Sequence, residues 1–359
     1  MSLKPIRILY TIPNFKTAGS QNVLLSILRG LDSEKFKVFI AVENFPELIP
    51  NDISVSNQIH IQYIGRLLKD VKMFSKVLKE HRIDVCHSWD YKSNFIEVIA
   101  CRLTGVKYLY TKKNNAWSRR WLLKSILATH IAYDNPEMKS RFFNVFYLRS
   151  KIRFIPHGVD LNKFSVKKRQ QDDIFNLCCI GNIVANKNQK QIIEALVNLP
   201  NNVHLNLYGK ADEAYKDQLV HFIEENYLQK RVSFKGFVRN DDIPQVLSQQ
   251  HVFVLASMQE GLPVSILEAL ACGVPVLSSN SGGGAKYILK DDKGGFIFNS
   301  TNELVEKIEI LLNDKELYSK LKKEAVENVK SRFSLKNEIS AYKNLYLKLV
   351  SKQEFEIIQ

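Results

Sequence analysis

The chain has 359 residues, 45% hydrophobic and 25% charged, which is enough for two ordinary domains with full cores and typical of a soluble globular protein. It contains no run of eighteen apolar residues, which excludes a membrane-spanning helix. The net charge of +14 is uneven: residues 1–160 carry 25 Lys and Arg against 13 Asp and Glu, the remainder 26 against 24, so the first half is expected to meet an anionic partner.

Ile6 to Ile12 has the length and composition of a buried strand, where a signal peptide would begin differently. The loop Pro13 to Ser20 follows, then an amphipathic pattern from Val23 to Leu31. Strand, glycine-bearing loop and helix open a dinucleotide-type fold. Gly19 lets backbone approach a ligand and Ser20 is placed to cap the helix, although the same residues would also make a plain turn. Lys37 to Val42 and Ile59 to Ile64 read as strands, Leu67 to Glu80 as a helix, and Glu43 to Asn57 as irregular. Asp84 to His87 is a strand ending in His87-Ser88-Trp89-Asp90, where α/β folds place ligand contacts. His87 is read either as a site residue or as a structural histidine.

No acidic residue lies between Glu97 and Asp134. Trp117, Trp121, Arg119, Arg120 and Lys124 fall within one or two helical turns of each other. They fit docking at an anionic bilayer surface, or an ordinary helix whose aromatics pack on the sheet. Nucleic acid is not expected, because no nucleic-acid motif accompanies the basic residues. Lys112 and Lys113, after the Val106 to Thr111 strand, are candidates for a phosphate-bearing acceptor. Ile152 to Phe164 is read as structural, and Val166 to Asp173 as a linker.

In the second half, Phe175 to Ile180 is a strand, 181–188 its loop and Gln191 to Leu199 its helix. Val203 to Tyr208, Glu213 to Glu225, Val232 to Phe234 and Ile243 to Ser248 continue the alternation, which implies a parallel, doubly wound sheet. His251 to Ala256 is a strand. After a polar turn, Pro263 to about Ala271 is a helix stopping at Gly273, with a strand from Val274. One carboxylate, Glu260, precedes the positive end of that helix, and Glu268 lies two turns along it. Helix N–H groups suit a diphosphate, and the carboxylates suit sugar and ribose hydroxyls. Glu268 taken alone reads equally as a solvated face residue. Ser278 to Gly284 is read as an anion-binding or flexible loop. Leu304 to Val329 is helical, and Ser334 opens a final helix to about Leu349.

The full string Ser257…Glu260-Gly261-Leu262-Pro263…Leu267-Glu268-Ala269…Gly273-Val274-Pro275-Val276 closely resembles the Glu, seven residues, Glu signature of the family 4 retaining glycosyltransferases. That resemblance implies the α/β GT-B fold, two Rossmann-like doubly wound domains with parallel sheets facing across a cleft. Residues 1–165, completed by a helix at 335–359, would bind the acceptor, and 166–334 the nucleotide-sugar. It further implies that Glu260 binds the transferred sugar, Glu268 the ribose, and Gly261, Leu262, Pro263 and Val264 the rest of the donor. His87 matches a histidine near the transferred sugar. Lys187 matches a lysine gripping the diphosphate, and Asn182 stands where Arg is common. Gly236 matches a turn bordering the base. Gly19 and Ser20 match a loop facing diphosphate and acceptor, with Ala18 in place of its first glycine. His157 replaces an Asn, and Lys286 stands where Glu is frequent.

Glycosyl transfer must stabilise charge on the departing diphosphate, by a metal or by fixed cations and helix N–H groups. The sequence has no Asp-x-Asp pair. Lys187 and the helix start therefore predict metal-independent transfer, retaining by resemblance, with no cofactor beyond the donor, a UDP-sugar in preference to a GDP-sugar. A saccharide or lipid-linked acceptor in bacterial surface polysaccharide or glycolipid assembly fits the basic half. Two other readings stand: a nucleotide-sugar epimerase of the same fold, and a non-catalytic nucleotide-sugar or membrane-binding homologue. Cys86, Cys101, Cys178, Cys179 and Cys272, odd in number and without Cys-x-x-Cys spacing, predict reduced thiols in a cytoplasmic protein, peripheral at the inner face of the plasma membrane if the basic helix docks there.

Overall fold

A computed structural model of the chain describes residues 4–13, 19–42, 54–89, 95–167 and 173–351. Ala18, Asp90, most of the irregular stretch at 43–57 and the linker core at 168–172 lie outside the described residues. In chain order the elements are β1 (Ile6–Ile12), α1 (Gly19–Gly30), β2 (Phe36–Val42), β3 (Gln58–His60), α2 (Leu67–Glu80), β4 (Val85–Ser88), α3 (Ile96–Thr104), β5 (Lys107–Lys112), α4 (Arg119–Leu127), β6 (His130–Tyr133), α5 (Glu137–Phe142) and β7 (Ile152–Phe154). There follow β8 (Phe175–Ile180), α6 (Gln189–Leu196), β9 (Val203–Tyr208), α7 (Glu213–Glu225), β10 (Val232–Gly236), α8 (Ile243–Ser248), β11 (Val252–Leu255), α9 (Val264–Ala271), β12 (Val276–Ser279), α10 (Gly284–Ile288), β13 (Gly295–Phe298), α11 (Thr301–Asn313), α12 (Lys315–Arg332) and α13 (Leu335–Val350).

The chain divides into two compact units, one of residues 1–134, 138–156 and 336–359, the other of 135–137 and 157–335. The first unit holds a seven-stranded sheet of order β3-β2-β1-β4-β5-β6-β7, with every ladder parallel. β1 and β4 are nearly continuous buried runs, because helices cover both faces of such a sheet. α2 packs Val71, Phe74 and Leu78 at helical spacing into one core with Leu9, Phe39 and Cys86. α13 buries Tyr342, Leu345, Tyr346 and Leu349, again one stripe.

The second unit holds a six-stranded parallel sheet of order β10-β9-β8-β11-β12-β13. α6, α7 and α11 cover one face around Leu177, Leu205 and Ile308. α9 and α12 cover the other through Ile266, Leu267, Leu270, Ala325 and Val329. Burying each such leucine contributes roughly 2 kcal/mol. Gly273 is left-handed at φ 69°, which ends α9.

Several expectations need correction. The strand expected over Ile59 to Ile64 stops at His60, and Ile64 is exposed. The helix expected over Leu304 to Val329 is two helices broken at Asp314, whose carboxylate accepts from the Leu317 N–H at 2.8 Å and caps α12. Pro263 is the residue before α9 rather than within it. Gly283, at φ 87°, opens the short helix α10, so the Ser278 to Gly284 run is not loop throughout. All five cysteines are buried free thiols.

Candidate functional site

In the second unit the strand order reverses between β8 and β11. Loops leaving the carboxyl ends of two such strands diverge and leave a crevice, the usual ligand position in an open α/β sheet. The loop after β8 ends in a 3-10 turn, Ala185–Lys187, and supplies Lys187. The loop after β11 supplies Glu260. Backbone and side chain tie the two together: Met258 N–H donates to the Asn186 carbonyl at 2.8 Å, and Asn186 Nδ2 to the Gln259 carbonyl at 3.1 Å. Lys187 Nζ donates to Glu260 Oε1 in a part-buried ion pair. The Glu260 N–H donates to the Ser281 carbonyl at 2.7 Å. A Cβ on Gly284 would lie 1.8 Å from the Gly261 carbonyl oxygen, so backbone meets backbone here and glycine is required.

α9 begins at Val264 without a side-chain cap and without an acidic residue in its first turn; the Ile266 N–H donates to the Pro263 carbonyl at 3.2 Å, and the positive end of the helix suits an anion. Leu262 and Pro263 are buried and anchor the loop, while Gly261 and Val264 are partly exposed. Glu268 sits on the same helix, 8% exposed, its Oε1 accepting from Asn240 Nδ2 at 3.2 Å. It is therefore not a solvated face residue. Burial pushes its carboxyl up to about 7, with the Asn240 hydrogen bond and the Lys163 ammonium acting in the opposite direction. Asn240 Oδ1 accepts in turn from Lys163 Nζ. No spacing in the sequence points to Lys163 or Asn240, which are 77 residues apart and meet only in the fold. Asn182 is exposed, with its carbonyl accepting from Gln189 Nε2 at 3.0 Å. Gly236 is left-handed at φ 72°, with open space beside it.

In the first unit the order reverses between β1 and β4. His87, on β4, is fully buried. Its Nδ1 lies 2.7 Å from the Tyr346 hydroxyl and its Nε2 2.8 Å from Thr111 Oγ1. Burial, with the nearby Lys113 ammonium, keeps the imidazole neutral, well below its ordinary value. Both ring nitrogens are thus engaged. Gly19 starts α1 in open space, where an added Cβ would meet nothing within 4 Å. Ser20 does not cap that helix: it lies within the first turn, and its Oγ accepts from Trp89 Nε1 and Lys113 Nζ, each at 3.0 Å.

The aromatics of the basic segment pack inward, as the ordinary-helix reading has it, but three of its lysines are buried with them. Lys112, Lys113 and Lys124 are all buried, each over an aromatic face: Lys112 4.4 Å from the Trp121 ring centroid, Lys113 4.2 Å from Trp89, Lys124 5.1 Å from Trp121. Burial lowers the Lys112 ammonium to about 7. Trp121 packs against Tyr110, and Trp117 stacks on Phe142 at 4.9 Å. Trp121 and Lys124 therefore belong to the buried stripe of α4, and its outer face carries Arg119, Arg120, Leu123 and Ile126. Among the described residues no three His, Cys, Asp or Glu side chains gather as a metal site, and no helix is long and apolar enough to cross a membrane.

Residues 160–328 match the family model described as Glycosyl transferases group 1, and residues 17–163 that described as Glycosyltransferase Family 4. An Escherichia coli UDP-Gal:alpha-D-GlcNAc-diphosphoundecaprenol alpha-1,3-galactosyltransferase is 26% identical, over 93% of this chain and 94% of its own length. A Campylobacter jejuni alpha-1,4-N-acetyl-D-galactosaminyltransferase, named for a diphosphate-linked undecaprenol acceptor, is 25% identical over 96% of this chain and 98% of its own. Among solved structures, a glycosyltransferase from Rickettsia africae superposes with a TM-score of 0.84 at 16% identity, over 98% of this chain and 100% of its own. Anabaena HepE, in complex with UDP-glucose, superposes with a TM-score of 0.81 at 19% identity, over 96% and 100%.

Proposed function

Because the chain belongs to the GT-B glycosyltransferases described by these two family models, we propose that it transfers a hexose-type sugar from a UDP-sugar to a lipid-linked or saccharide acceptor, with retention at the anomeric carbon. The observation that carries this reading is the pairing of Lys187 and Glu260 from the two loops at the strand-order reversal, beside the uncapped start of α9, with Glu268 about one turn into that helix. In this reading, the diphosphate meets Lys187 and the α9 N–H groups, which stabilise the charge left on it as the glycosidic bond breaks. Glu260, released from Lys187, accepts hydroxyl hydrogens of the sugar, and Glu268 accepts from the ribose diol. The leaving group is stabilised by these groups without a metal. Relatives named for UDP-galactose and for undecaprenol-diphosphate acceptors support the donor and acceptor class.

The lipid end of such an acceptor suits the outer face of α4. There Arg119 and Arg120 accompany Leu123, 50% exposed, and Ile126, 40% exposed. Basic and apolar residues on one exposed face fit the inner surface of an anionic membrane. The test of the activity is transfer of radiolabelled sugar from UDP-galactose, UDP-glucose and their N-acetylated counterparts to undecaprenyl-diphosphate-linked acceptors. Labelled lipid in one pairing supports the reading. Donor conversion without acceptor points instead to epimerisation, and binding without turnover to a silent homologue.

A further inference from the structure

We infer that Asn240 and Lys163 are positioning residues for the Glu268 carboxylate, forming a relay that aims it at a nucleoside's vicinal diol. The inference rests on the donor-site reading above. Lys163 Nζ donates to Asn240 Oδ1 and, at 2.7 Å, to Asp241 Oδ1, while Asn240 Nδ2 donates to Glu268 Oε1 at 3.2 Å. The ammonium fixes the sense of the amide. Turned the other way, Asn240 would set its NH2 group against a cation and its oxygen against a carboxylate. Lys163 therefore acts on Glu268 through a neutral spacer. A direct ion pair would occupy the carboxylate with a competing donor, whereas the spacer uses Oε1 and leaves Oε2 to accept from a ligand.

The rest of the surroundings explain why a relay is needed. α12 faces α9 through Ala325 and Val329, which offer the carboxylate nothing polar. Cys272, one turn on in α9's own direction, has its thiol pushed up to about 12 by burial and by Glu268, with Lys167 opposing. The exposed Asp241 draws on the same ammonium, but its side chain is 87% exposed and screened by water. Lys163 is thus the cation that favours ionisation of Glu268 most directly. A diol donates more strongly to an ionised carboxylate than to a neutral carboxyl, so the relay couples nucleotide affinity to pH near neutrality.

The experiment measures UDP and 2′-deoxy-UDP affinity by calorimetry from pH 6 to 9 for the wild type, Asn240→Ala and Lys163→Met. The variants should bind UDP about threefold to tenfold more weakly at pH 7, the loss of one charge-assisted hydrogen bond, and recover towards pH 9, where Glu268 is ionised regardless. For 2′-deoxy-UDP the variants should differ little from wild type. A weakening equal at every pH, or none, overturns the relay. If no nucleoside diphosphate binds the wild type at any pH, the donor-site reading itself falls. The relay is then judged without ligand: Asn240→Ala should move to higher pH the midpoint of the melting-temperature difference from its own Glu268→Gln double variant. An unmoved midpoint overturns it.

Discussion

Glu268 is held in an environment that disfavours its charge, so its contribution to stability runs opposite to that of a salt-bridged carboxylate. Its folded value, about 7, lies above its ordinary value of 4.5. Between these values the native state binds more protons than the unfolded one, and stability falls as pH rises through that window. Glu268→Gln removes the ionisation. It is expected to melt higher than the wild type at pH 8, by the equivalent of roughly 1–3 kcal/mol, with the gap closing towards pH 4. Thermal melts across pH check this, and a gap independent of pH contradicts it. A carboxylate buried at a cost in stability is what a ligand-binding site is expected to hold. Lys187 makes the complementary case. It faces Glu260, and Lys187→Met is expected to lower the turnover of sugar transfer about a hundredfold, the scale of losing one preorganised charge-stabilising group. Steady-state rates at saturating donor measure it.

At the scale of elements, α13 is bound to the first unit by a chain of hydroxyls and one imidazole. Tyr10 and Tyr346 hydroxyls lie 2.5 Å apart, Tyr346 reaches His87, His87 reaches Thr111, and Thr111 Oγ1 lies 3.1 Å from the Tyr342 hydroxyl. Tyr346→Phe leaves a buried imidazole nitrogen and a buried phenol short of a partner and is expected to cost about 1–3 kcal/mol. Chemical denaturation should show it. Elements of this kind are readable where a single period persists: Leu67–Glu80, Val203–Tyr208, Glu213–Glu225 and Ile243–Ser248 fall where the pattern places them. The break at Asp314 is not, because the helical period continues on either side and neither Gly nor Pro marks the junction. Asp314 leaves the helical conformation, at φ −97° and ψ 92°, and its carboxylate caps α12 at Leu317. The signature around Glu260 and Glu268 is legible because strand, turn and helix put both carboxylates on one short segment. The Lys163–Asn240–Glu268 relay joins three separate segments and has no period to read. The burial of Lys124 is likewise invisible, and that of His87 and Trp121 is only one of two readings, since a basic or polar residue on a mixed helix or strand end gives the same letters whether it faces water or an aromatic core.

At the scale of the whole molecule, charge is the property that most constrains a partner. The first 160 residues carry most of the net +14, yet three lysines of its most basic segment are buried against aromatic rings. What remains outside on α4 is a pair of arginines beside Leu123 and Ile126. Vesicles containing phosphatidylglycerol are therefore expected to retain the protein in low salt and release it as ionic strength rises. Leu123→Ser with Arg119→Gln should lower that retention without altering UDP affinity, which the proposed function assigns to the other unit. Co-sedimentation with anionic and neutral vesicles reads the difference.

On this reading the second unit is a nucleotide-sugar site organised by Glu268, Glu260 and Lys187. Calorimetric titration of UDP into the wild type and Glu268→Ala at pH 8 tests it most directly. The expected result is one UDP bound per chain, with an affinity at least about tenfold weaker in Glu268→Ala, as for a diol losing its buried, charged acceptor. Equal affinity in both proteins, or no binding of UDP to the wild type, would contradict it.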